Sequence, residues 1–146
     1  MPLLPEAPVP GGAADRVLGT LAAALADVPP ERRRVACSGG LDSMTLLASL
    51  ARLHRSSGLP PPRVLHVHHG LHADADAWAA FVADVCRHWG MPLRSERVRV
   101  RAAGGGPEAD ARAARHRCFE AVLEPGEHLL LAHHRDDQVE TVLLRL

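Results

Sequence analysis

Apolar residues recur along this chain with two alternating periods. Leu18, Leu21, Leu25 and Val28 fall at helical spacing, so Asp15 to Asp27 reads as a helix that Pro29-Pro30 ends. Arg33 to Cys37 reads as a first buried strand, and Ser43 to His54 as a second helix. After the loop Ser57-Gly58-Leu59-Pro60-Pro61-Pro62 comes a second strand, Arg63 to His68. Trp78, Val82, Val85 and Trp89 make one apolar stripe on a third helix, which stops at Gly90. Leu93 to Val100 reads as a third strand, Glu108 to Leu123 as a fourth helix, and His128 to Ala132 as a short fourth strand. Val139, Val142, Leu143 and Leu146 repeat at helical spacing, so a last helix is expected from about Asp136.

Strands alternating with helices imply an α/β fold with a doubly wound parallel sheet covered on both faces. In such sheets ligands bind beyond the carboxyl ends of the strands. The chemically active residues gather there. Ser38-Gly39-Gly40 follows the first strand, His68-His69-Gly70 the second and His133-His134 the fourth.

The length of 146 residues suits one domain with a real core. Met1 to Gly12 is proline-rich, carries no basic segment before an apolar core, and reads as a flexible lead-in to a domain over residues 13–146. No apolar run approaches the ~20 residues needed to span a bilayer, so no membrane partner is expected. Three cysteines without framework spacing fit a reducing, cytoplasmic setting. Net charge is zero, which argues against a whole-surface grip on nucleic acid, although arginines cluster at 32–34, 94–101 and 112–117. All 17 basic residues are arginine, so lysine-dependent phosphate-loop and Schiff-base chemistry is excluded.

Ser38-Gly39-Gly40-Leu41-Asp42-Ser43 joins a strand to a helix. Glycines let backbone N–H groups converge on an oxyanion, and the helix N-terminus adds its positive dipole end. Ser38 and Ser43 offer hydroxyl donors. A carboxylate repels phosphate, so Asp42 makes sense as a helix cap or as a ligand of a metal that holds phosphates. The bland reading is a simple strand-to-helix turn with Asp42 or Ser43 as N-cap. His66, His68, His69 and His72 lie close together but lack the fixed ligand spacing of a zinc site. Cys37 reads as a small buried strand residue, not as a nucleophile.

The six-residue loop resembles the SGGxDS loop of ATP pyrophosphatases. Val67-His68-His69-Gly70-Leu71, the ExxARxxR segment Glu108 to Arg115, and the HHxDDQxET segment His133 to Thr141 follow in order. Together, from about Arg33 to Leu146, they resemble the N-terminal domain of the tRNA(Ile)-lysidine synthetase family. The resemblance implies a Rossmann-like adenine nucleotide alpha hydrolase architecture. It also implies a reaction: ATP adenylates the C2 oxygen of the wobble cytidine in tRNA(Ile) with a CAU anticodon. The amine of free L-lysine then displaces AMP, leaving lysidine.

ATP and Mg2+ are the implied cofactors. Ser38, Gly39, Gly40, Leu41, Asp42, Ser43, His69 and His133 would contact the nucleotide. Asp42, Arg112, Arg115 and Asp137 would serve the chemistry, with Asp42 and Asp137 as metal ligands. Arg112 and Arg115, three apart, share a helix face and could grip a phosphate or the activated cytidine. Asp136 is expected to cap the last helix, and Asp137 to bind magnesium or orient the amine.

His116 stands where the family has an aromatic residue and His72 where arginine is common, which weakens any stacking or phosphate role at those two positions. The family also continues past this length, so the domain is expected to be incomplete at its C-terminus. The final apolar stripe then predicts a marginally stable or self-associating chain, a homodimer among the outcomes. A tRNA thiolase of the same loop superfamily and a non-catalytic nucleotide-binding fragment are the competing readings. Thiolases commonly pair cysteines, and Cys37, Cys86 and Cys118 are widely separated.

Overall fold

The computed structural model describes the backbone of residues 13–70, 72–135 and 138–145, and the side chains of residues 15–70 and 72–132. Helix α1 (Ala13–Ala24) leads through a short turn into β1 (Arg33–Ala36), followed by α2 (Leu41–Ser56), β2 (Arg63–His68) and α3 (Ala75–Trp89). Then come β3 (Leu93–Arg97), α4 (Pro107–Val122), β4 (His128–Arg135) and β5 (Gln138–Arg145). The strand order is β3-β2-β1-β4-β5. Strands β1 to β4 run parallel, and their order reverses direction at β1, as a doubly wound sheet requires.

The last strand corrects the expectation of a terminal helix. β5 lies antiparallel beside β4, with Leu130 opposite Leu143 and His133 opposite Glu140. A short apolar run does not by itself distinguish helix from strand. Here Val139, Thr141 and Val142 bring β-branched stiffness, and pairing satisfies the open edge of β4.

Period-two alternation assigns each strand residue to one of two cores. On one face, Val35, Cys37, Val64 and Leu130 pack with Leu21 and Leu25 of the α1 segment, Leu46, Leu47 and Leu50 of α2, and Val82 and Val85 of α3. On the other, Leu65, Val67, Leu129 and Leu131 meet Cys118, Phe119 and Val122 of α4 and Leu123 just after it. Three helices cover one face and α4 covers the other. Helix α3 stops at Gly90, whose φ of +68° is the left-handed cap a side chain disfavours.

The amino ends of the strands are tied by buried charge. Arg33 donates to the carbonyls of Val28 at 3.0 Å and Leu25 at 3.1 Å, and pairs with His54 Nε2 at 3.2 Å. His54 Nδ1 donates to the Pro60 carbonyl at 2.7 Å, which fixes Nε2 as the acceptor for Arg33. Burial, and after it Arg33, lowers the His54 pKa, while the Pro60 bond opposes them. Glu127 pairs with both Arg34 and Arg63. Burial alone would raise the Glu127 carboxyl. The Glu124 N–H and the two arginines outweigh it, and the pKa lies below the ordinary carboxylate value. This cross-link fixes the starts of β1, β2 and β4 and leaves their carboxyl ends to form the site.

Candidate active site

Beyond Ala36 the chain leaves β1 through Cys37-Ser38-Gly39 and enters α2 at Gly40. Gly39 has φ +93°, and a Cβ there would sit 3.4 Å from the Cβ of Trp78 on α3. Gly40 is the N-cap, with extended φ −73° and ψ 165° and no side-chain capping bond. Neither Asp42 nor Ser43 is the cap; both stand in the first helical turn. The first N–H groups of that turn have no acceptor within the helix, and the dipole favours an anion before them.

Two serines stitch the loop together. The Ser43 hydroxyl donates to the Gly40 carbonyl at 3.1 Å and accepts from the Ser38 N–H at 3.1 Å. The Ser38 hydroxyl lies 3.1 Å from Ser43 Oγ and accepts from the Gly40 N–H at 3.3 Å. Ser43 is buried. The sequence offers both hydroxyls to a ligand; in the fold, Ser43 also shapes the loop.

The loop forms one wall of a cleft of about 370 Å3 at the carboxyl edge of the sheet. Ser38, Gly40, Ser43, His69, Arg112 and Arg115 all line it, so three separate sequence segments converge. Gly39, Leu41 and Asp42 belong to the same loop but do not face the cleft; Leu41 is 83% exposed. His133 lies in β4, three residues past Leu130, the partner of Val35. Its side chain, like Asp136 and Asp137 as whole residues, lies outside the described residues.

Electrostatically the cleft is built for negative charge. Arg115 is half-buried, and its pKa is lowered first by burial and then by Arg112. Among the described residues neither arginine forms an ion pair. Burial also lowers the His69 pKa, and Arg115 adds to the effect. A neutral imidazole beside Arg115 can accept a hydrogen bond without adding like charge.

Sequence reasoning missed part of the lining. His66 donates from Nδ1 to the Cys37 carbonyl at 2.7 Å, and His68 Nε2 lies 2.6 Å from Asp76 Oδ1. Both histidines line the cleft, as does Trp78. The helical stripe assigns Trp78 to the core, yet it is 38% exposed. His116 also lines the cleft, edge-on to Phe119 at 5.6 Å between ring centroids. Cys37 is buried beside Ser43 and Met44, and burial pushes its thiol pKa up, the state of a packing residue and not of a nucleophile.

A doubly wound sheet with a glycine-containing loop at its switch point, an uncapped helix N-terminus and two arginines opposite defines a nucleotide-binding class of domain. Residues 15–146 match the model of the PP-loop domain, and the chain belongs to this family of ATP-binding domains. It is 58% identical over 112 residues to the tRNA(Ile)-lysidine synthase of Pseudomonas aeruginosa, covering 77% of this chain and 25% of that protein. To the tRNA(Ile)-lysidine synthase of Xanthomonas campestris pv. campestris it is 56% identical over 120 residues, covering 80% of this chain and 27% of that one. The chain thus spans about a quarter of the length of these relatives. Among solved structures, a U34-tRNA thiolase from Methanococcus maripaludis, bearing a 4Fe–4S cluster, superposes with a TM-score of 0.62 over 84% of this chain and 46% of that one. At 14% identity this likeness concerns the fold alone.

Proposed function

We propose that this chain forms the cytidine-activating core of a tRNA(Ile)-lysidine synthase. The reading rests on one observation: Ser38, Gly40 and Ser43 of the loop, His69 and the Arg112/Arg115 pair, from three separate motif segments, meet in a single cleft at the sheet's switch point. The relatives' shared name supports the same reading.

The reaction divides into two displacements. In the first, the C2 oxygen of the wobble cytidine in tRNA(Ile) attacks the α-phosphorus of ATP, and pyrophosphate leaves. The first-turn N–H groups of α2 receive the charge that develops on the leaving group. Arg112 and Arg115 grip phosphate oxygens from the opposite wall, and a half-buried guanidinium such as Arg115 acts more strongly than an exposed one. Neutral His69 accepts a hydrogen bond from the nucleotide. In the second step the amine of free L-lysine attacks C2, the C2–O bond breaks and AMP departs. The amine must shed a proton to attack, and Asp137 is our candidate to receive it.

Asp42 is the one carboxylate within the loop, placed in the first turn of α2. Its carboxylate stands outside the cleft lining, between the lining residues Gly40 and Ser43, so it would hold Mg2+ only at the rim, with phosphate oxygens completing the shell. An ion held there would supply positive charge to the pyrophosphate leaving group.

A chimera provides the test. This chain replaces the matching N-terminal quarter of the Pseudomonas aeruginosa relative, and tRNA(Ile) is incubated with ATP and lysine. Nucleoside mass spectrometry should find lysidine, dependent on both small molecules and abolished by Asp42→Ala, Arg112→Ala or Asp137→Ala. In a parallel incubation with sulfide in place of lysine, a sulfur-bearing nucleoside would favour the thiolase reading. ATP binding without pyrophosphate release would reduce the chain to a binding module.

A further inference from the structure

We propose that Trp78 at the rim of the cleft and Phe81 beside it on α3 form a stacking platform for unpaired RNA nucleotides next to the reacting base, with Arg97 near the start of the helix to meet their phosphates. The proposal rests on the reading of this chain as an RNA-modifying core and adds to it a surface that holds the strand.

The chain is poor in aromatic residues, with two tryptophans, two phenylalanines and no tyrosine. Phe119 is buried, and Trp89 packs partly buried against the larger core. The other two are exposed on one helix: Trp78 by 38% and Phe81 by 39%. They are three residues apart, hence neighbours on one face of α3. A single exposed apolar residue needs no explanation. Half of a scarce aromatic complement, side by side, does.

The position is what gives the pair meaning. Trp78 lines the cleft and reaches its rim, and the loop glycine Gly39 abuts its Cβ. The ring of His72 stacks on the indole at 4.6 Å between centroids and 29° between planes. That imidazole is itself 54% exposed in its side chain, so a flat group already rests on Trp78 at the solvent side. Phe81 continues the surface away from the cleft.

Positive charge lies on the edge strand beside the start of α3, while Asp84 stands one turn from Phe81 and is paired with Arg87. Arg97, 74% exposed in its side chain, reaches Asp76 at the start of α3 at 3.4 Å. Arg99 and Arg101 are exposed on the segment after the same edge strand, whereas Arg94 lies on the α4 face, paired with Glu96 at 2.7 Å. Charged residues on an edge strand guard against aggregation. Here, however, four arginines and one glutamate fall between residues 94 and 101 of a chain with no net charge.

The proposed chemistry supplies the occupant. An enzyme that acts on a base must take it out of its stack, and the flanking nucleotides must then be held elsewhere. Aromatic faces stack any base, and arginines follow the backbone phosphates. The pair extends beyond the cleft that would hold ATP, so the platform fits a strand and not a mononucleotide.

The test uses this chain, ATP and a fluorescent RNA stem-loop with an unpaired CAU anticodon. Trp78→Leu should weaken stem-loop binding at least about fivefold, the low end of losing one base–aromatic stack, and Trp78→Phe should restore it. Phe81→Leu should weaken it about threefold with ATP affinity unchanged. Arg97→Gln should lower the slope of log affinity against log salt by about one, which a purely structural role would not do. Melting curves check that each variant folds.

Stem-loop affinities within about twofold of wild type in all three loss variants would overturn the platform while leaving the proposed activity standing. So would failure of the wild-type chain to bind the stem-loop at about 100 µM, where even non-specific contacts register. Intact RNA binding with no lysidine from the wild-type chimera would instead overturn the activity and keep the surface.

Discussion

Gly39 and Gly40 stand side by side under different constraints. Gly39 holds φ +93° against Trp78, whereas Gly40 is extended and meets only Ser38 Oγ at 3.4 Å. Gly39→Ala should therefore destabilise the fold by about 1–3 kcal/mol, the usual cost of forcing a side chain into such a conformation. Urea unfolding measures it, and an unchanged midpoint would show that the loop adapts. Gly40→Val should fold normally yet lose ATP affinity at least about tenfold, because a branched side chain would stand at the uncapped end of α2 where the phosphates must approach. Titration with ATP decides; unchanged affinity would remove the loop from the site. That Ser38, Gly40, Ser43, His69 and the arginine pair gather at one sheet edge was legible in the sequence because each follows a strand end or shares a helical face; that Gly39, Leu41 and Asp42 turn away from the cleft was not. Nor was Trp78. A helical stripe records which side of a helix meets the sheet, but not whether a residue lies over the sheet or at its rim.

Among the elements, β2 begins and ends where its β-branched and apolar run predicts, and the other parallel strands and helices shift by a few residues at their ends. The failure is β5. Its apolar spacing satisfies a helical template, and the β-branched Val139, Thr141 and Val142 tip it to a strand together with the neighbouring edge of β4, a long-range feature. The buried histidines that join elements were also hidden from the sequence, and they make stability depend on pH. His54 and His66 each have a pKa lowered mainly by burial, from an ordinary value of 6.5. As pH falls through that ordinary value, the unfolded chain takes up protons that the fold refuses, so stability decreases. Their contribution is complete above 6.5 and is lost on acidification. Glu127, with its lowered carboxyl pKa, adds stability that disappears only at lower pH, as its value is approached. Melting temperature should therefore fall between about pH 7.5 and about pH 5.5. A flat profile there would exclude the histidines as the cause. At the Arg33 clamp, Arg33→Met should cost about 2–4 kcal/mol, since it leaves the Leu25 and Val28 carbonyls and His54 Nε2 without their donor.

At the scale of the whole molecule, the sheet divides the apolar interior into two separate cores of unequal cover. Three helices shield one and α4 shields the other, and α4 follows the glycine run Gly104-Gly105-Gly106. Regions with few buried contacts open locally before the global transition. The amides of α4 should then exchange with deuterium through a partial opening that leaves α2 protected. Equal protection in the two helices would show that the sheet opens as a unit. Arg112 and Arg115 both ride on α4, so each opening would carry the charged wall away from the loop. A bound nucleotide bridging the two walls would hold the helix shut, and ATP should slow exchange in α4 more than anywhere on the opposite face. The cleft would then work as a latch whose resting state is partly ajar, with the triphosphate itself as the bolt.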